Sequence, residues 1–155
     1  MEKEVRARVT MFIQASPEEV YGAFVDPERL SKFWLSKASA PLRLGKAVHW
    51  NFMVEGAEVD TIATTMEPGK KLAWDWAGQG KVSIDFEALD GGTAVTLIND
   101  GFPSEGSERV EAALNATEGF AIVLADLKTL LESGRSAGIS KAKAKLVALR
   151  TPPES

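Results

Sequence analysis

The stretch "KKLAWDWAGQGKVSIDFEALDGGTAVTLIND", Lys70 to Asp100, alternates apolar and polar residues in three runs separated by two glycine-containing turns. Leu72, Trp74 and Trp76 interleave with Lys71, Ala73 and Asp75. Side chains two apart point the same way on a strand and to different sides of a helix. Lysine and aspartate belong in water, so a strand here turns both tryptophans inward. The next run agrees: Val82, Ile84 and Phe86 face in, while Ser83, Asp85 and Glu87 face out. Gly78-Gln79-Gly80 and Asp90-Gly91-Gly92 are turn sequences. Strands at about 70–77, 81–89 and 93–101 therefore form an antiparallel meander.

Upstream, "VRARVTMFIQA" reads as a strand over about 5–14, with Val5, Ala7, Val9, Met11 and Ile13 on one face. Two short helices follow. Ser16 is an N-cap, Pro17 opens the first turn, and Glu19 completes a capping box. Asp26 and Pro27 repeat that grammar before the stripe Leu30, Phe33, Trp34. "KAVHWNFMVEG" reads as a strand over about 46–55, and "AEVDTIATTMEP" as its hairpin partner across Gly56. From about Ser104 to Ser133 the period becomes helical, and Gly134 is a stop signal. Val110, Leu114, Thr117, Phe120, Ala121, Leu124, Leu127, Leu130 and Leu131 suggest one apolar face along a long helix. The layout is α+β: a curved antiparallel sheet with a long helix laid across it. A sheet and a helix that pack closely only in places leave a hollow, the usual form of a ligand pocket.

The 155 residues suit one domain with a single core, and the charged fraction of 26% is ordinary for a globular chain. A net charge of −4 argues against a nucleic-acid partner. No cysteine is present, which removes disulfides, thiolate metal sites and a cysteine nucleophile. "MEKEVRARV" lacks the apolar core of a secretory signal, and no run reaches membrane-spanning length. A soluble cytoplasmic protein with no membrane association is the expectation. Residues 135–155 hold five basic residues against one acid, a net +4, which leaves the first 134 residues at −8. A domain over 1–134 followed by a basic, flexible tail over 135–155 is the plain reading. The alternative is that "KAKAKLVALR" forms a short basic helix docked on the acidic body or on a partner.

"SPEEVYGAFVDPERLSKFW", "EPGKKLAWDW", "GGTAVTLINDGF" and "EGFAIVLADLKTLLESG" occur in order at a spacing that resembles the START-like (SRPBCC, helix-grip) superfamily. Within it, the chain is most similar to the branch named after the C-terminal domain of the activator of heat shock protein 90 ATPase. The resemblance covers about 5–134. It implies a Bet v-type fold, about seven antiparallel strands gripping a long C-terminal helix, with two short helices after the first strand. It does not imply one function. Relatives bind lipids, hormones and polyketides, and some act as cyclases or hydratases; fold alone does not choose among these.

A cavity between sheet and helix would be lined by Trp34, Trp50, Phe52, Trp74, Trp76, Ile84, Asn99, Phe102, Phe120 and Leu124. A small hydrophobic molecule is the expected ligand. Core packing explains the aromatic rings equally well. Asn99 alternates with Val95 and Leu97, which puts it at the inner mouth, where it would fix a polar group or simply serve the turn before Gly101. Either His49 with Asn51 or Trp50 with Phe52 faces inward, and the aromatic content favours the second pair. His49, the only histidine, has no evident orienting carboxylate, so a surface role is expected over catalysis. Glu55 and Glu58 flank Gly56 as rim charges. No catalytic residue, metal site or cofactor is assigned, and a lone histidine argues against zinc. Binding is thus favoured over catalysis. The alternatives are a chaperone-associated module and a polyketide cyclase- or hydratase-like enzyme, the latter lacking a legible acid–base pair. A homodimer would cover an open sheet edge.

Overall fold

The computed structural model describes residues 5–150. Strand β1 (Ala7–Ile13) alternates as expected, with Ala7, Val9 and Ile13 buried. Helices α1 (Pro17–Val25) and α2 (Pro27–Phe33) follow. The Ser16 hydroxyl accepts from the Glu19 N–H at 3.2 Å, and Asp26 Oδ1 accepts from the Glu28 N–H at 3.1 Å. Each cap thus satisfies a first-turn donor that the helix itself leaves open.

Strand β2 (Leu35–Ala38) has no counterpart among the strands read from the sequence. It pairs β3 (Ala47–Phe52) through Leu35–Phe52 and Ala38–Trp50, with a register shift between Leu35 and Lys37. The sheet continues through β4 (Glu58–Glu67), β5 (Lys71–Trp76), β6 (Gly80–Leu89) and β7 (Gly92–Asp100). The order is β1-β7-β6-β5-β4-β3-β2, antiparallel throughout. Seven strands are therefore present, with the meander at the centre of the sheet. Gly80 shows why its turn needs glycine: φ is +104°, and a Cβ there would lie 2.5 Å from the Asp100 carbonyl oxygen.

Helix α3 (Gly106–Ser133) crosses the concave face and ends on Gly134 at φ +78°. Its buried face coincides with the expected one at Phe120, Leu124 and Leu127, with Leu130 and Leu131 packed against the core, and departs from it at three positions. Ala113, Phe120, Val123, Leu124 and Leu127 are buried, whereas Val110, Leu114 and Ala121 are exposed. At 100° per residue these three lie a fraction of a turn around the cylinder from the buried stripe. The core joins α1 and α2 to the inner face of the sheet and the second half of α3. Leu72, Leu124 and Leu127 are fully buried, each stabilising by about 1.5–3 kcal/mol.

The basic segment is helical over α4 (Ile139–Arg150) and packs on α3 and α2. Buried Asp126 holds its start: Oδ2 accepts from the Ser140 N–H at 2.9 Å, and Oδ1 from the Ser136 hydroxyl at 3.4 Å. Lys143 of α4 donates to Glu118 of α3. Hydrogen bond and charge together hold the Glu118 carboxyl below its ordinary value.

Candidate functional site: an aromatic hollow between sheet and helix

The inner face of the sheet carries a dense aromatic group. Trp34 and Trp50 meet edge-on at 5.2 Å, as do Trp50 and Trp74. Phe52 stands nearly perpendicular to Trp76 at 6.0 Å, and Trp76 stacks on Phe120 of α3 at 6.0 Å and 9°. The Trp76 indole N–H donates to the Thr61 hydroxyl at 3.0 Å. The indole N–H groups of Trp50 and Trp74 are buried without a hydrogen-bond partner.

Beside this group the sheet and helix part. The space divides into three adjoining chambers that share Phe52. The largest, about 530 Å³, lies under the β3–β4 hairpin and reaches Trp76, Asn99, Phe102 and Ala112. A second, about 240 Å³, lies between the hairpin, α3 and α4 and is walled by Trp34, Phe52, Ile122 and Val123. The third, about 210 Å³, joins Trp34, Trp76, Asn99, Phe120 and Gly119. All three are open to solvent on one side.

The cause is residue size. Along the hollow, α3 presents Ala112, Ala116 and Gly119; further on it presents Phe120, Val123, Leu124 and Leu127. The small residues cannot reach the sheet. A Cβ added to Gly119 would meet nothing within 4 Å.

The ten residues singled out in the sequence separate into two groups. Trp34, Phe52, Trp76, Asn99, Phe102 and Phe120 line the chambers. Trp50, Trp74, Ile84 and Leu124 are fully buried behind them and line none of the chambers. Asn99 is 2% exposed, and its side-chain amide donates to the Lys81 carbonyl at 2.8 Å. Its amide group therefore ties β7 to β6 while its side chain borders the hollow.

Trp50 and Phe52 face inward, and His49 lies on the outer face. The expectation that His49 has no orienting carboxylate is corrected. Asp60, directly opposite on β4, places Oδ1 2.9 Å from His49 Nδ1, and Glu58 Oε1 lies 3.7 Å from Nε2. Register brings the pair together across eleven residues of sequence, which is why alternation alone did not reveal it. All three side chains are substantially exposed; His49 and Asp60 lie outside the chamber linings, while Glu58 also borders the first chamber, as a rim charge. Among the described residues, no group of three or more His, Cys, Asp or Glu side chains is placed to hold a metal ion. Lining residues that the sequence did not flag include the spacers Ala112, Ala116 and Gly119, and Ser140 and Lys143 on α4. Small residues at 112, 116 and 119, on one side of a helix opposite tryptophan-bearing strands, were the readable signal for the first three.

Residues 14–132 match the family described as activator of Hsp90 ATPase homolog 1-like protein. The chain belongs to this family. Its sheet, grip helix and paired short helices are those of the START-like superfamily. Among solved structures, protein SSP2350 from Staphylococcus saprophyticus is similar at 29% identity and TM-score 0.74, over 84% of this chain and 94% of that one. An Aha1 dimer from Colwellia psychrerythraea aligns at 24% identity and TM-score 0.74, over 85% and 99%. DynU16, a putative protein in the dynemicin biosynthetic locus, aligns at 23% and 0.72, over 86% of this chain but 49% of that one. These last two likenesses bear on the fold alone. A search of the curated proteins finds no match. No helix among the described residues is long and apolar enough to cross a membrane.

Proposed function

We propose that this member of the Hsp90-ATPase-activator-like family binds a small, largely apolar molecule in the hollow between the sheet and α3. The observation that carries the reading is the opening itself: aromatic walls from Trp34, Phe52, Trp76 and Phe120 around a stretch of α3 that stops short at Gly119. An apolar concavity with a few convergent polar groups is the ordinary form of a small-molecule site. Among the described residues the charged side chains that line it are Glu58 in the first chamber and Lys143 in the second, so no single chamber holds both an acid and a base, which favours binding over cyclase or hydratase chemistry.

Decanol is a suitable probe, followed by quenching of tryptophan fluorescence. Saturable binding is expected in the parent chain and loss of it in Gly119→Phe, where the new ring occupies the hollow. Unchanged binding in that variant would put the probe elsewhere. A spectrum of the intact protein under non-denaturing conditions would show a co-purified molecule directly and report whether the chain is a monomer or a dimer.

Self-association is a second part of the proposal, supported by the relative from Colwellia psychrerythraea, which is an Aha1 dimer. A role with a chaperone is suggested by the family's description. Stimulation of the chaperone's ATPase by the purified chain tests it, and absence of stimulation at saturating concentration removes it.

A further inference from the structure

Helix α4 lies outside the span that matches the family, residues 14–132, yet it builds one wall of the second chamber. That chamber is apolar apart from what α4 brings. Among the described residues, Lys143 is the only charged side chain lining it. Ser140 lines it too, is 9% exposed, and its hydroxyl has no hydrogen-bond partner. A buried hydroxyl without a partner is costly, and such groups in native structures ask for an explanation.

We infer that the hollow takes an anionic amphiphile: an apolar tail against Trp34, Phe52 and Val123, and a carboxylate or similar oxyanion between Lys143 and the Ser140 hydroxyl. The inference rests on the proposed binding role and adds the ligand's charge. An ammonium and an O–H are both donors, and an oxyanion accepts from both. Glu118 already takes one Lys143 donor, but an ammonium has three. That ion pair is surface-exposed, and such pairs are weak enough to share or yield. The rest of α4 has the same sign: Lys141, Lys145 and Arg150 are its other charged residues, and no acid lies on it. Asp126, the buried carboxylate near its start, is outside the chamber lining and already accepts from Ser136 and Ser140.

Decanoate and decanol share a tail and differ in the head, so tryptophan quenching by the two at neutral pH is the test. Decanoate is expected to bind about tenfold tighter than decanol, the worth of a charge-assisted hydrogen bond over a neutral one. Lys143→Gln should bring decanoate down to decanol and leave decanol unchanged; Ser140→Ala should weaken decanoate alone. Equal binding of the two probes, or equal weakening of both by Lys143→Gln, overturns this inference and leaves the apolar hollow standing. Failure of both probes to saturate overturns the hollow itself and this inference with it. Flotation with phosphatidylglycerol vesicles in place of saturable decanoate binding would assign the lysines to a membrane surface and overturn the small-amphiphile reading.

Discussion

The two halves of α3 meet the same sheet and do opposite things with it. From Phe120 onward the helix brings Phe120, Val123, Leu124 and Leu127 into the core, all 5% exposed or less. Before Phe120 it brings Ala112, Ala116 and Gly119, and the space they leave is the hollow. Aromatic residues stand on the sheet at both ends. A tryptophan is therefore core or wall according to what the helix opposite supplies: Trp74 is fully buried, while Trp76, two residues along the same strand, borders open space. Protein interiors pack like organic crystals, and the filled half of α3 meets that standard where the half with the spacers leaves open space beside it.

Truncation on the two sides is the strongest way to break that comparison. Trp74→Ala opens a cavity in the filled end and is expected to cost about 3–5 kcal/mol. Phe52→Ala removes a half-buried ring that already adjoins open space, and is expected to cost no more than about 2 kcal/mol. Urea unfolding of both variants checks it. Similar costs would mean that the hollow collapses in solution and that its walls are core.

A smaller and opposite effect sharpens the same contrast. Glycine inside a helix is unfavourable, and here nothing lies where a methyl would go. Gly119→Ala is expected to raise stability by about 0.5–1 kcal/mol through helix propensity alone. A shift of the urea midpoint to higher concentration at constant slope is the signature. A fall in stability would mean that the hollow is closed around Gly119.

Much of this fold was legible because its signals are local. Alternation with glycine turns fixes three strands over 70–101, and the Ser16-Pro17 and Asp26-Pro27 caps fix two helix starts. Strand β2 was hidden because it is four residues long and buries only Leu35 fully. The face of α3 was legible at Phe120, Leu124 and Leu127 but not at Val110 and Leu114, which are apolar yet exposed, while alanines, which carry little pattern of their own, face the sheet. The candidate site was legible by face and not by depth. Alternation puts Trp50, Trp74 and Ile84 on the same side as Phe52 and Trp76, but only the structure separates the residues under the filled half of α3 from those beside its spacers. The α4 contribution could not be read, because nothing in "KAKAKLVALR" says which surface its helix meets.

Acid tests the smallest difference, since each half of α3 is tied down by one exposed carboxylate. In the filled half, Glu132 Oε2 accepts from the Gln14 N–H at 2.9 Å and from Lys128 at 2.6 Å, linking the helix to the chain just after β1. In the hollow half, Glu118 accepts from Lys143 and links α3 to α4. Hydrogen bonding, in both cases the first cause, holds both carboxyls below their ordinary value of 4.5. A depressed folded-state value means that the contribution is complete above about pH 4.5 and is lost as pH falls through the folded value. The consequences differ with what each group holds. Glu132 joins the helix to the sheet, so Glu132→Gln should flatten the fall of the urea midpoint between about pH 5 and 3. Glu118 joins only α4, so Glu118→Gln should leave that midpoint's pH dependence almost unchanged. It should instead speed hydrogen exchange of the α4 amides at neutral pH, where the wild-type pair is intact. Equal flattening by both substitutions would mean that α4 unfolds with the body as one cooperative unit, and the division of α3 into a filled half and a half beside the hollow would then not extend to its attachments.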